Sequence, residues 1–193
     1  SFVFSELLKL GDKLPYGKVR MSWAQVGSDT DPYQLGLVYT KSKFAYPGYT
    51  IGYISNGTIP NKDLKPTKTN SFEMGLELKF LKNRIGLDFT YYSQLSKNQI
   101  MGMASSSTSG YGYRLINAGE IENKGVEIAL NTRPIQTKDF SWDLNFNFSK
   151  NSNKVKKLVD DMDMFELEKA TWLDVQVAAK VGENFGSIVG PDF

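Results

Sequence analysis

The sequence predicts an all-β fold of antiparallel hairpins, and three observations carry that expectation. Apolar and polar residues alternate with a period of two in five separate segments. Short turns join four of these segments into two pairs, and long connections rich in Gly, Ser and Tyr separate the pairs. No stretch approaches the roughly 20 apolar residues that a membrane-spanning helix needs.

The first alternating segment is KVRMSWAQ, residues 18–25, where Val19, Met21 and Trp23 oppose Lys18, Arg20, Ser22 and Ala24. In SFEMGLELKF, residues 71–80, Phe72, Met74, Leu76, Leu78 and Phe80 form one face. Glu73, Gly75, Glu77 and Lys79 form the other. A short turn at Asn83-Arg84 leads to IGLDFTYY, residues 85–92, with Ile85, Leu87, Phe89 and Tyr91 on the apolar side. In KGVEIALN, Val126, Ile128 and Leu130 oppose Gly125, Glu127, Ala129 and Asn131. A Pro-bearing turn over residues 133–139 precedes SWDLNFNFS, which sets Trp142, Leu144, Phe146 and Phe148 against Asp143, Asn145, Asn147 and Ser149. Residues 40–67, 101–114 and 150–176 read as long loops, the last with a short helix in part of it.

Composition excludes whole classes of function. The 193 residues include no His and no Cys. That removes His-based nucleophilic triads, His- or Cys-ligated zinc, disulfides and iron–sulfur sites. A net charge of +2 gives no overall bias toward nucleic acid. No cofactor or metal site is expected, and an enzyme is not. No signal peptide opens the chain. Gly190-Pro191-Asp192 interrupts the alternation that a terminal strand ending on Phe193 would show. An end inside a longer chain is therefore the expectation.

The alternation fits two architectures. In a soluble β-sandwich, such as a carbohydrate-binding module, the apolar face packs on a second sheet. In an outer-membrane barrel it meets lipid and the polar face lines the lumen. Three details favour the barrel: aromatics near strand ends (Phe72, Phe80, Trp142, Phe148), several charges on one polar face (Glu73, Glu77, Lys79), and strongly unequal connections. Strands of ordinary length would number roughly six to eight, too few to close with such loops.

Several long blocks resemble the SusC/RagA-type TonB-linked outer-membrane transporters of Bacteroidetes. They are WAQVGSDTDPYQ (23–34), IPNKDLKPTKTNSFEMGLELKFLKNRIGLDFTYY (59–92), LINAGEIENKGVEIALNTRPI (115–135), FSWDLNFNFSKNSNKV (140–155) and VGENFGSIVG (181–190). The resemblance implies an antiparallel transmembrane β-barrel of about 22 strands with a plugged lumen. Residues 1–193 would then be part of that barrel domain, without the plug, the TonB-contacting segment or the C-terminal strands. It also implies short periplasmic turns, long extracellular loops, a SusD-type surface lipoprotein as partner, coupling to the TonB complex, outer-membrane lipid around the wall, and a glycan or peptide as substrate.

The candidate ligand contacts are loop tyrosines: Tyr46, Tyr49 and Tyr53 in one loop, Tyr111 and Tyr113 in another. A phenol ring stacks on a sugar face while its hydroxyl hydrogen-bonds. Packing of the loops against their neighbours is the competing role. The acidic stretch Asp160, Asp161, Asp163, Glu166 and Glu168 lacks the ligand spacing and central Gly of an EF-hand and reads as a solvated loop. Glu120 and Glu122 share a strand face opposite Glu127, so they form no carboxylate pair suited to glycoside hydrolysis.

The alternation predicts that Leu76, Leu87, Ile128 and Leu144 meet lipid, whereas Glu77, Asp88, Glu127 and Asn145 face the lumen. Leu76→Arg in the full-length protein should cost about 2–4 kcal/mol near mid-membrane, while Glu77→Arg should cost little. Outer-membrane assembly, read by heat-modifiable gel mobility, checks this. Assembly of Leu76→Arg together with loss of Glu77→Arg would reverse the assignment.

Overall fold

The computed structural model describes the chain apart from residues 9, 10, 12, 13, 31–34, 38, 44–46, 55, 56, 160, 161, 171–173, 192 and 193. Strands dominate what is described. Strand β1 (Phe2–Val3) and a single-turn helix α1 (Phe4–Leu8) precede β2 (Tyr16–Ser28). Three short strands follow, β3 (Tyr39–Lys41), β4 (Gly52–Ile54) and β5 (Thr58–Ile59). A hairpin of β6 (Thr67–Phe80) and β7 (Ile85–Lys97) comes next, then the short strands β8 (Ile100–Ala104) and β9 (Tyr113–Asn117). The second long hairpin is β10 (Gly119–Gln136) with β11 (Ser141–Leu158). Short strands β12 (Met164–Lys169), β13 (Gln176–Lys180) and β14 (Ser187–Val189) end the series.

One sheet holds β1-β2-β6-β7-β10-β11 in that order. The long strands are thus neighbours in sequence order. Connections alternate between four residues (81–84 and 137–140) and long excursions carrying the short strands. This is the up-and-down pattern of an outer-membrane barrel wall. The strands of 13 to 18 residues exceed the roughly 9–11 that cross a bilayer.

Several expectations from the sequence change. The 85–92 strand runs on to Lys97 and the 141–149 strand to Leu158. Their extensions, SQLSK and KNSNKVKKL, are extended but largely polar, so no apolar contrast marks them. The short turn expected at Asn83-Arg84 is present and spans 81–84, with left-handed Leu81, Lys82 and Asn83 and an Arg84 N–H to Leu81 carbonyl bond. The Pro-bearing turn contracts to 137–140, since β10 continues through Pro134 to Gln136. The connections 40–67 and 101–114 hold short paired strands. Among the described residues of 150–176 there is strand and no α-helix.

The chain divides into two compact units. One comprises Ser1–Gln25, Thr69–Leu95 and Glu122–Asn153; the other comprises Val26–Lys68, Ser96–Ile121 and Lys154–Phe193. In the first, β1 pairs with β2 through Phe2↔Val19 and Val3↔Lys18. The second contains the buried apolar cluster Ile116, Ala118, Val155, Leu158, Phe165 and Ala179. Phe165 of β12 and Ala179 of β13 reach it from a three-stranded antiparallel sheet. Gly119 (φ +142°) lies so close to the Lys157 carbonyl that a β-carbon would collide with it. Only glycine suits both demands.

Asn117 sits in the second unit's small sheet of β5, β9 and β8. Its Nδ2 donates to the carbonyls of Lys65 (2.7 Å) and Asn98 (3.0 Å), and its Oδ1 accepts from the Lys65 N–H (2.9 Å). One amide thereby satisfies three backbone groups in irregular segments that no ladder serves. The same sheet pairs β5 in parallel with β9, and β9 antiparallel with β8.

Candidate functional site

The functional surface of the first unit is a sheet with two chemically opposite faces. Its apolar face carries Met21, Trp23, Phe72, Met74, Trp142, Leu144, Phe146 and Phe148, all exposed. Trp23 is 70% and Phe146 61% exposed. Nothing of the described chain packs over these rings. A soluble domain rarely leaves so large an apolar surface bare, and a lipid-facing wall requires it.

The opposite face is built around Arg20. Its guanidinium grips Asp88 with both ends, Nη1–Oδ2 at 3.1 Å and Nη2–Oδ1 at 2.8 Å. Nη2 also donates to the Thr90 hydroxyl oxygen at 2.6 Å, and Nε lies 3.9 Å from Glu73 Oε1. Sheet order explains the geometry. Arg20 is on β2 and Asp88 on β7, two strands away at about 5 Å each, with β6 between. Arg20 crosses β6 over Gly75, where a β-carbon would collide with the arginine side chain. The absent side chain is what lets one arginine tie three strands together.

Forked arginine–carboxylate pairs are the stronger kind. Both side chains here are about a third exposed, 34% and 33%, so solvent screening limits the pair to about 1 kcal/mol. Weaker pairs continue the polar face. Glu77 lies between Lys18 (3.9 Å) and Lys79 (3.8 Å), and Lys79 sits 4.8 Å above the Tyr16 ring centre. Arg133 meets Asp143 at 2.6 Å, and the Tyr92 hydroxyl donates to Asn151 at 3.2 Å. Two open recesses lie on this face. One of about 390 Å³ is lined by Arg20, Asp88, Thr90, Glu127, Asn147 and Ser149. The other, about 480 Å³, is lined by Lys79, Arg84, Asn131, Arg133, Asp143 and Asn145.

The candidate tyrosines belong to the second unit. Tyr46 lies outside the described residues. Tyr49 is exposed, and Tyr53 is exposed in β4 opposite Thr40. Tyr111 precedes β9, and exposed Tyr113 begins it opposite Ala104. Tyr53 and Tyr113 therefore stand on different small sheets. Of the acidic stretch, Asp160 and Asp161 lie outside the described residues. Glu166 and Glu168 are the exposed face of β12, with Phe165 buried on the other. Glu120 pairs with Lys97 at 3.6 Å and Glu122 with Lys124 at 3.3 Å. Glu127 lines the Arg20 recess, on the opposite face from Glu122 as the alternation requires. Sequence reading placed Arg20, Gly75 and Asp88 on one face but missed their joint arrangement. The lone Gly in the middle of an otherwise bulky strand was the available signal.

A sheet with lipid-type and lumen-type faces and alternating short and long connections defines a wall segment of an outer-membrane β-barrel. Residues 12–174 match the family described as TonB dependent receptor-like, beta-barrel. TonB-dependent receptor P3 of Formosa agariphila is 31% identical over 195 aligned positions, covering 96% of this chain and 19% of that protein. TonB-dependent receptor SusC of Bacteroides thetaiotaomicron is 31% identical over 156 positions, 77% of this chain and 16% of SusC. Among solved structures, the RagAB peptide transporter superposes with a TM-score of 0.79 at 21% identity over 94% of this chain and 20% of that one. The chain belongs to this family, as part of a TonB-dependent outer-membrane receptor of the SusC/RagA type. It spans about a fifth of the length of these relatives. The barrel, not the soluble sandwich, is the architecture of this sequence.

Gly75→Val should expel the Arg20 guanidinium and destabilise the barrel by about 1–3 kcal/mol. The cost should shrink in an Arg20→Ala background, because the clash is gone. Urea unfolding of the four proteins of this cycle measures the coupling. Strict additivity would show that Arg20 does not cross β6 at Gly75.

Proposed function

We propose that the protein imports a bulky nutrient, a glycan or a peptide, across the outer membrane in a TonB-dependent manner. A SusD-type surface lipoprotein is its partner at the extracellular side. Residues 1–193 contribute barrel wall and extracellular loops, and the plug and the remaining strands belong to the rest of the barrel protein. The observation that carries this reading is the two-faced sheet within a chain related to SusC. Its polar face, with open recesses of several hundred Å³, suits a lumen that holds a movable plug.

The mechanism is gating and not bond chemistry. Nutrient binds outside, between loops and lid, and the plug rearranges when TonB pulls from the periplasm. Tyr46, Tyr49, Tyr53, Tyr111 and Tyr113 are the proposed nutrient contacts. The exposed phenol rings of Tyr53 and Tyr113, on short paired strands, offer stacking surfaces that lose little entropy on binding. The SusC relationship supports a glycan, and the likeness to the RagAB peptide transporter supports a peptide.

Growth on single glycans or on peptide mixtures as sole nutrient tests the reading. Uptake should vanish when TonB is deleted. Tyr49→Ala, Tyr53→Ala and Tyr113→Ala should each raise the half-saturating nutrient concentration about 3- to 10-fold, the loss of one stacking contact. Barrel assembly should be unchanged. Uptake indifferent to TonB would overturn the importer reading, and uptake indifferent to all three tyrosines would remove them as contacts.

A further inference from the structure

The apolar face of the first unit has a sharp upper edge. On each long strand the outward apolar run gives way to a polar residue on the side away from the short turns. In sheet order these residues are Gln25, Asn70, Ser93, Lys124 and Lys150. Gln25 Nε2 donates to Asn70 Oδ1 at 2.7 Å, which shows the two amides side by side at the same level. Beyond this rim the outward positions of the unit are Leu95, Glu122 and Ser152. At the other end, next to the short turns, the outward positions are Phe80, Ile85 and Trp142, none of them cationic. Within this unit, cations on the outward face are thus confined to one end, on the adjacent strands β10 and β11.

We propose that this rim is a binding site for the headgroup of a phosphate-bearing glycolipid of the outer leaflet. Lys124 and Lys150 are its phosphate contacts. The proposal rests on the outer-membrane reading, because the side away from the short turns of such barrels faces outward. The chemistry is matched in three ways. Acyl chains end where the apolar run ends, which puts headgroup phosphates level with Lys124 and Lys150. Lysine stems lie along an apolar surface while their ammonium groups reach the polar layer. The amides of Gln25 and Asn70 and the Ser93 hydroxyl supply hydrogen-bonding groups for the hydroxyls of a sugar headgroup. Lys124 is 46% exposed and pairs with Glu122 at 3.3 Å. An exposed pair of this kind is weak and leaves the ammonium available to a phosphate.

The test uses the full-length protein, purified in detergent, stripped of lipid and titrated with lipid A in mixed micelles. The double variant Lys124→Gln/Lys150→Gln should bind at least about tenfold more weakly. Lys124→Arg/Lys150→Arg should stay within about twofold of the unmodified protein, since charge is kept. Dephosphorylated lipid A should lose about as much as the Gln variant does, and phosphatidylglycerol should bind more weakly than lipid A. Heat-modifiable mobility verifies that each variant is folded, and Lys138→Gln at a short turn should bind normally. Equal binding by the Gln variant and the unmodified protein, or by lipid A and its dephosphorylated form, overturns the phosphate contacts. Equal binding of phosphatidylglycerol overturns the glycolipid. TonB-independent uptake would defeat the importer reading and leave this titration unchanged.

Discussion

Within hydrocarbon a backbone N–H or C=O without a partner costs several kcal/mol, so only helices and closed sheets cross a membrane. That constraint organises the whole molecule. In a chain of the TonB-dependent receptor β-barrel family the crossing elements are strands, here β2, β6, β7, β10 and β11, hydrogen-bonded side by side. Because side chains alternate along a strand, a sheet that meets lipid on one face must present its other face to something polar. The exposed aromatics and the Arg20 network are two consequences of one period.

The polar face is stabilised differently from a soluble core. The buried apolar cluster around Val155 and Leu158 belongs to the second unit. In the first, the polar face holds Arg20, Asp88, Glu73, Glu77 and Lys79, partly exposed and individually weak. Such a surface favours reversible contact. Fixing strand neighbours is then the work of backbone ladders and of one crossing side chain, Arg20 over Gly75.

Much of the wall was legible in the sequence, for a physical reason. A strand between lipid and a wet lumen has maximal contrast between neighbouring residues, and runs such as Phe72 to Phe80 or Trp142 to Phe148 record it directly. Where contrast fades, legibility fades too. Residues 150–158 read as a loop because Lys, Asn and Ser dominate both faces, although β11 continues through them to Leu158. The strands β8 and β9 hide in Ser-, Gly- and Tyr-rich chain, and the Asn117 clamp in their sheet joins segments 52 residues apart. The Arg20–Asp88 pair was invisible because its partners lie 68 residues apart. Alternation assigns a face, but only strand order says who stands opposite whom. The tyrosines were picked out as single residues and not as a grouped site, since composition cannot place Tyr53 and Tyr113 on separate sheets.

The central claim is that one face of this sheet meets lipid and the other meets water. This segment contains no cysteine, so single cysteines placed along β11 report its facing with no background from these residues. The most direct measurement is labelling of Leu144→Cys, Asn145→Cys, Phe146→Cys and Asn147→Cys by a small water-soluble maleimide in intact outer membranes. The account predicts labelling at positions 145 and 147 and protection at 144 and 146. The reverse pattern, or uniform labelling of all four, would contradict it.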